Sequence, residues 1–186
     1  VYAGHLKAQN EKDSITDWDR TFMPAFQLGF VTHGSDQLTG GLMIQTSIEY
    51  RHESNFVLRL NYDDFNSQIN LAYPINPNLT YTGRMSFFEV IGGIGYRDPD
   101  GKHNLTAYIQ GGIRNYGAPI FSADSLEANI DFDTRNIGVM RYTLGYEFTL
   151  TPKLFLSIET LLSHTFQSKD YWSNNRLSYG FTAVSY

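Results

Sequence analysis

The chain has 186 residues, 41% of them hydrophobic and 18% charged, with no cysteine and a formal net charge of -5; its mean hydropathy is -0.32 and its pI is near 5.4. That length fits one domain with a core of its own, the acidic balance excludes the basic footprint of a nucleic-acid binder, and the lack of cysteine excludes a disulfide scaffold, a thiol nucleophile and Cys-ligated metal sites. No apolar run approaches the roughly 18 to 20 residues of a membrane helix, which leaves a soluble all-β domain or a β-barrel in lipid.

The first residues, Val1 to Gln9, lack the basic start and apolar stretch of a signal peptide, so the sequence reads as a mature chain. Residues 1–21 are polar, with Trp18 between Asp17 and Asp19, and are expected to precede the folded domain as a separate segment. From about Ala25 onward apolar and polar residues alternate with the period of a two-faced strand.

Eight segments follow. In the first, Phe26, Leu28 and Phe30 alternate with Gln27, Gly29 and Val31; the second sets Leu42 to Tyr50 at even positions against Met43, Gln45, Ser47 and Glu49. The third alternates Phe56, Leu58, Leu60 and Tyr62 with Val57, Arg59, Asn61 and Asp63, and the fourth sets Phe88, Val90, Gly92, Ile94 and Tyr96 against Phe87, Glu89, Ile91, Gly93 and Gly95. The fifth opposes Leu105, Ala107, Ile109 and Ile113 to Thr106, Tyr108, Gln110, Gly112 and Arg114. The sixth opposes Met140, Tyr142, Leu144, Tyr146 and Phe148 to Val139, Arg141, Thr143, Gly145 and Glu147. The seventh opposes Leu154, Leu156, Ile158, Thr160 and Leu162 to Phe155, Ser157, Glu159, Leu161 and Ser163. The eighth, roughly Arg176 to Tyr186, alternates too weakly to assign its faces.

The links between segments alternate as well. Those at Arg51–Asn55, Arg97–Asn104 and Thr149–Lys153 are short and polar, whereas Asp63–Gly83 and Asn115–Asn136 read as loops of about twenty residues. Tight turns on one side and long loops on the other are the pattern of a membrane barrel. An even strand count then puts both termini on the short-turn side.

Lysine placement separates lipid from water. All five lysines (Lys7, Lys12, Lys102, Lys153, Lys169) lie outside the strands, while the strand charges are few and of both signs: Glu49, Glu89, Glu147 and Glu159 against Arg59, Arg114 and Arg141. Charges of both signs among Gly, Ser, Thr and Gln describe the cramped interior of an eight-stranded barrel, where they must be paired. Tyr50, Phe56, Tyr96 and Phe148 are each the apolar-face residue nearest a short turn, the placement of a periplasmic aromatic girdle. A soluble, lipocalin-like ligand-binding barrel is the alternative, with the apolar set turned inward.

These features resemble the small OmpA/OmpX-like outer-membrane β-barrels of Gram-negative bacteria over about Phe22 to Tyr186. The resemblance implies an all-β, eight-stranded antiparallel up-and-down transmembrane β-barrel at 22–186, a periplasmic segment at 1–21, periplasmic termini and extracellular long loops. It also implies outer-membrane lipids and lipopolysaccharide as partners, and no nucleic acid. In the resembling family the last residue is usually aromatic with apolar residues alternating before it; Tyr186 and Val184 fit, Thr182 and Gly180 fit poorly, and Leu177, Tyr179 and Phe181 fall on the opposite face.

The interior charges are expected to form a structural network, with Glu49 and Arg59 as diagonal neighbours and Arg141 near Glu159. Some barrels resembling this one modify lipid A with a His, a Ser and an acid; here only His164 stands on a strand near an outer rim, with Ser163, Ser168 and Asp170 close by, and Ser163 points to the other face. Asp63, Asp64, Asp124, Glu127, Asp131 and Asp133 read as acidic outer loops, and Asp131-x-Asp133 falls far short of a Ca²⁺ site. Asp13-Ser14-Ile15 and Asp124-Ser125-Leu126 resemble a bacterial O-glycosylation tripeptide. The expected role is a closed barrel serving as a structural or accessory subunit of a larger outer-membrane assembly, with other outer-membrane or periplasmic proteins as partners, no catalytic site, no cofactor and no metal.

Overall fold

A computed structural model describes residues 22–33, 38–51, 55–72, 78–98, 102–124, 127–151, 154–166 and 177–185. The segment 1–21, Tyr186 and the tripeptide residues Asp13 to Ile15, Ser125 and Leu126 lie outside the described residues, as do Ser168 and Asp170. The strands are β1 (Phe22–His33), β2 (Leu38–Arg51), β3 (Phe56–Ala72), β4 (Thr80–Arg97), β5 (His103–Asp124), β6 (Glu127–Thr151), β7 (Leu154–Phe166) and β8 (Leu177–Ser185). Each pairs antiparallel with its chain neighbours, and β1 pairs with β8 from Gln27↔Val184 to His33↔Ser178, which closes the sheet into a barrel. Closure leaves no sheet edge within the wall, so its backbone groups are satisfied by neighbouring strands.

Alternation fixes which face is which. On β3 the even residues Phe56, Leu58 and Leu60 are exposed and the odd residues Val57, Arg59 and Asn61 are buried. On β6 Leu144 is 68% exposed while Arg141 is fully buried. The apolar set thus points outward and the polar set inward, the reverse of a soluble carrier, so the lipocalin-like alternative does not fit this fold. Each outward run, such as Phe22 to Phe30 or Met140 to Phe148, covers about nine residues, the length with which a strand tilted by ~45° crosses a bilayer.

The two long loops expected at Asp63–Gly83 and Asn115–Asn136 are mostly strand. β3 continues to Ala72 and pairs with β4 up to Ala72↔Thr80; β5 and β6 pair up to Asp124↔Glu127. The reason lies in the phase of the alternation. Beyond Tyr62 the outward positions become polar (Asp64, Asn66, Gln68, Asn70), while Phe65, Ile69 and Leu71 turn inward and are buried. The strand persists, but its apolar face switches sides. Asp63, read from sequence both as an inward strand residue and as part of an acidic loop, is fully buried inside the barrel.

β8 keeps register with both neighbours, pairing Phe181 with Phe30 and with Thr160, and Tyr179 with Leu162. A register shift between Leu38 and Gly41 marks β2 near the long-hairpin rim, and another lies between Thr149 and Thr151. At the opposite end backbone bonds from Arg97 N–H to Asn55 O (2.9 Å), Asp98 N–H to Leu105 O (3.0 Å) and Thr149 N–H to Lys102 O (2.9 Å) tie the short turns to neighbouring strands.

Candidate functional site: a charge-balanced barrel interior

The interior is built in two levels. Nearer the short turns, Arg51 donates through Nε and Nη2 to Glu49 Oε2 at 2.9 and 2.6 Å and reaches Glu147 Oε2 at 3.1 Å. Arg97 also donates to Glu147. Arg59 Nη1 meets Glu159 Oε1 across the lumen at 2.6 Å, its Nε lies 3.7 Å from Glu49 Oε1, and Tyr108 donates its hydroxyl to the same Glu49 oxygen at 2.8 Å. The Arg59 guanidinium lies over the Tyr108 ring, 4.7 Å from its centre. Gly95 makes this possible, since a Cβ there would stand 2.2 Å from the Tyr108 ring.

The second level centres on Arg141. Asp63 and Glu89 face each other directly across the β3–β4 ladder, an arrangement in which two carboxylates repel at short range. Arg141 resolves it by donating one Nη to each acid, while its Nε donates to Ser163 Oγ at 3.0 Å. Arg114, in register with Glu89, donates through Nε to Glu89 Oε1 at 2.5 Å. The forked guanidinium suits this bridging, because its donors diverge in one plane. Together the two levels bring five carboxylates (Glu49, Asp63, Glu89, Glu147, Glu159) against five guanidiniums (Arg51, Arg59, Arg97, Arg114, Arg141).

Above them the interior turns apolar. Val31, Leu38, Met43, Phe65, Ile69, Leu71, Met85, Phe87 and Tyr116 form one buried cluster, with Phe65 and Phe87 stacked at 4.6 Å and 10°. Arg114 lies 4.9 Å from the Phe87 ring centre, joining the charged level to this cap.

All seven interior charges named from sequence are buried, but two pairings differ. Glu49 and Arg59 are direct cross-strand partners rather than diagonal ones, because the hairpin closes on Arg51↔Val57 and residues equidistant from that pair face each other. Arg141 does not meet Glu159: the β6–β7 register sets Gly145 opposite Glu159 and Arg141 opposite Ser163, two inward positions further along. Asp63, Arg51 and Arg97 were not counted in the network from sequence. Asp63 was already placed on the inward face but was also read as part of an acidic loop, whereas Arg51 and Arg97 each sit one inward step beyond a residue placed there, Glu49 and Gly95, so continuing the alternation by one step would have found them.

The four aromatics named from sequence stand on the outer face near the short turns. Tyr50 lies 5.1 Å from Phe22, Phe56 packs edge-on at 6.5 Å against Tyr96, and Phe148 lies 5.0 Å from His103, which also hydrogen-bonds Tyr146.

Among the described residues the histidine at the other rim has no assembled acid–base pair. His164 packs edge-on against Phe166, while Ser163 faces the interior and is held by Arg141. His164 is not alone at that rim. His33 ends β1 there, with Nε2 2.9 Å from Ser67 Oγ, although Ser67 is fully buried. Asp131 and Asp133 belong to β6 rather than to a loop; Asp131 accepts from the Phe132 N–H at 2.8 Å and Asp133 pairs with Arg135 at 3.3 Å on the exposed surface.

No protein-family model and no curated protein matches the sequence. Solved structures do match in shape. Neisserial surface protein A superposes with a TM-score of 0.64 at 11% identity, covering 89% of this chain and 95% of that one. A major outer membrane protein of Thermus thermophilus gives 0.53 at 12%, covering 88% and 99%. Ail, the attachment invasion locus protein of Yersinia pestis, solved with the heparin analogue sucrose octasulfate, gives 0.51 at 9%, covering 87% and 95%. At such identities the likeness bears on architecture alone: the chain has the fold of the small outer-membrane β-barrel proteins.

Proposed function

We propose that the chain is an outer-membrane β-barrel whose lumen is closed by its own side chains, and that it acts as a structural or accessory subunit of a larger outer-membrane assembly rather than as an enzyme or an open pore. The observation that carries the closed interior is the ion network crossing the lumen: Arg59 of β3 to Glu159 of β7, Arg141 of β6 to Asp63 of β3, and Arg51 of β2 to Glu147 of β6. An eight-stranded barrel has room for its own side chains and little else. Paired, desolvated charges fill that space without leaving a net charge to attract ions. In this reading the short turns and termini are periplasmic and the long hairpins extracellular, as the asymmetry of membrane barrels favours. In it Tyr50, Phe56, Tyr96 and Phe148 form the periplasmic aromatic girdle.

The accessory role is supported by what the barrel offers for action: among the described residues no catalytic group is assembled at the rim, and in this reading the lumen is closed, so its accessible hairpins and surfaces are what remain to work with. Affinity purification from native outer membranes in mild detergent tests this. Recovery of the barrel with a defined larger partner supports it; a lone particle of 21.2 kDa contradicts it. In planar bilayers the purified barrel is expected to carry no stepwise current, and a steady ohmic channel would refute the closed lumen.

A further inference from the structure

The outer face carries a groove of mixed character at the long-hairpin rim, where the apolar band ends. Phe30 and Thr32 of β1, Gly40 and Leu42 of β2, Gln68 of β3 and Arg84 of β4 line it. Its floor is backbone. A Cβ on Gly40 would stand 2.8 Å from the Val31 carbonyl oxygen, and one on Gly41 would stand 2.0 Å from the Asn66 carbonyl oxygen, so glycine is required at the register shift and the surface there stays recessed.

The groove's two edges differ in chemistry. Phe30 and Leu42, 69% and 59% exposed, close the lower edge and belong to the apolar wall. The upper edge holds the Arg84 guanidinium, in register with Gln68, beside Asn66. Arg84 stands apart from the other described arginines: among the described residues no carboxylate pairs with it, whereas Arg51, Arg59, Arg97, Arg114, Arg135 and Arg141 each have an acidic partner. A cation at one end of the groove, with amides beside it and the exposed apolar side chains of Phe30 and Leu42 at the other end, matches an amphiphile with an anionic head. A soluble anion would meet one charge and gain nothing from Phe30 and Leu42.

We propose that this groove binds an anionic, phosphorylated lipid of the outer leaflet, its phosphate on Arg84 and an acyl chain along Phe30 and Leu42. The inference rests on the outer-membrane reading above and adds the site on the barrel wall and the residues that hold the phosphate and the acyl chain. Arginine donates two parallel charge-assisted hydrogen bonds to a phosphate, and the acyl chain supplies apolar contact without a charge requirement.

The test uses the whole chain refolded in dodecyl-maltoside micelles, titrated with diphosphoryl lipid A and read by native mass spectrometry. The wild-type barrel is expected to hold one lipid A molecule. Arg84→Gln should weaken it by roughly tenfold, the loss of one charged hydrogen-bonding group; Arg135→Gln, on the exposed β6 surface, should leave it unchanged. Excess inorganic phosphate should not displace the lipid. Equal affinity in Arg84→Gln, or displacement by phosphate alone, overturns the proposal while a heat-modifiable folded band keeps the membrane reading intact. Failure of the wild-type chain to fold in micelles overturns both.

Discussion

Arg141 is the residue on which the interior depends most. It lies fully buried between two acids that face each other across one ladder, and it alone donates to both. Removing it leaves Asp63 facing Glu89 with Arg114 on Glu89 and the field of Arg59 to offset the pair. Arg141→Ala is therefore expected to cost about 3 to 5 kcal/mol, the penalty for leaving a buried charge without its partner. The urea midpoint of the detergent-refolded variant measures this, and an unchanged midpoint would contradict the assignment. The same residue marks how far single-residue reading reached. That Arg141 points inward was legible from the alternation of β6, but its partners were not, because a barrel brings β3, β4 and β6 together across a lumen that no local spacing describes. Within one hairpin the partner of Glu49 was nearly right, since only the turn separates the two strands.

At the scale of the strand, polarity rather than periodicity carries the information. Period two runs through all of β3, but the large apolar residues stand mainly at even positions up to Tyr62, Val57 excepted, and at the odd positions Phe65, Ile69 and Leu71 beyond it. A reading that follows the apolar face alone ends the strand where the face switches, which is why Asp63–Gly83 looked like a loop. The switch marks the level at which the outside changes from lipid to water and the inside from charge network to apolar cap. A charge on the outer face should then cost an amount set by its depth. Leu144→Lys, in the middle of the β6 band, is expected to destabilise the barrel by about 2 to 4 kcal/mol, and Asn136→Lys, above the switch, by about 0 to 1 kcal/mol. Paired unfolding titrations in lipid vesicles measure the difference, and equal costs at the two positions would show that the band does not face lipid.

The whole molecule joins a closed sheet to an inverted distribution of polarity: exposed Leu60, Ile109 and Leu144 outside, balanced Glu and Arg within, and apolar packing of Phe65, Phe87 and Ile69 in the upper interior. Overall composition conceals this, because averaging over both faces gives the hydropathy of an ordinary water-soluble domain. The eight-stranded barrel was expected from the sequence, but how β8 sits between β1 and β7 was not legible, since the last strand alternates weakly and its register is set by the neighbours it pairs with on both sides. The most direct test is the medium around the outer face. The chain has no native cysteine, so spin labels at Leu60→Cys, Ile109→Cys and Leu144→Cys report one site each. In reconstituted bilayers these labels are expected to collide readily with oxygen and to be shielded from a nickel chelate; free access of the chelate at all three positions would place the face in water and contradict the transmembrane barrel.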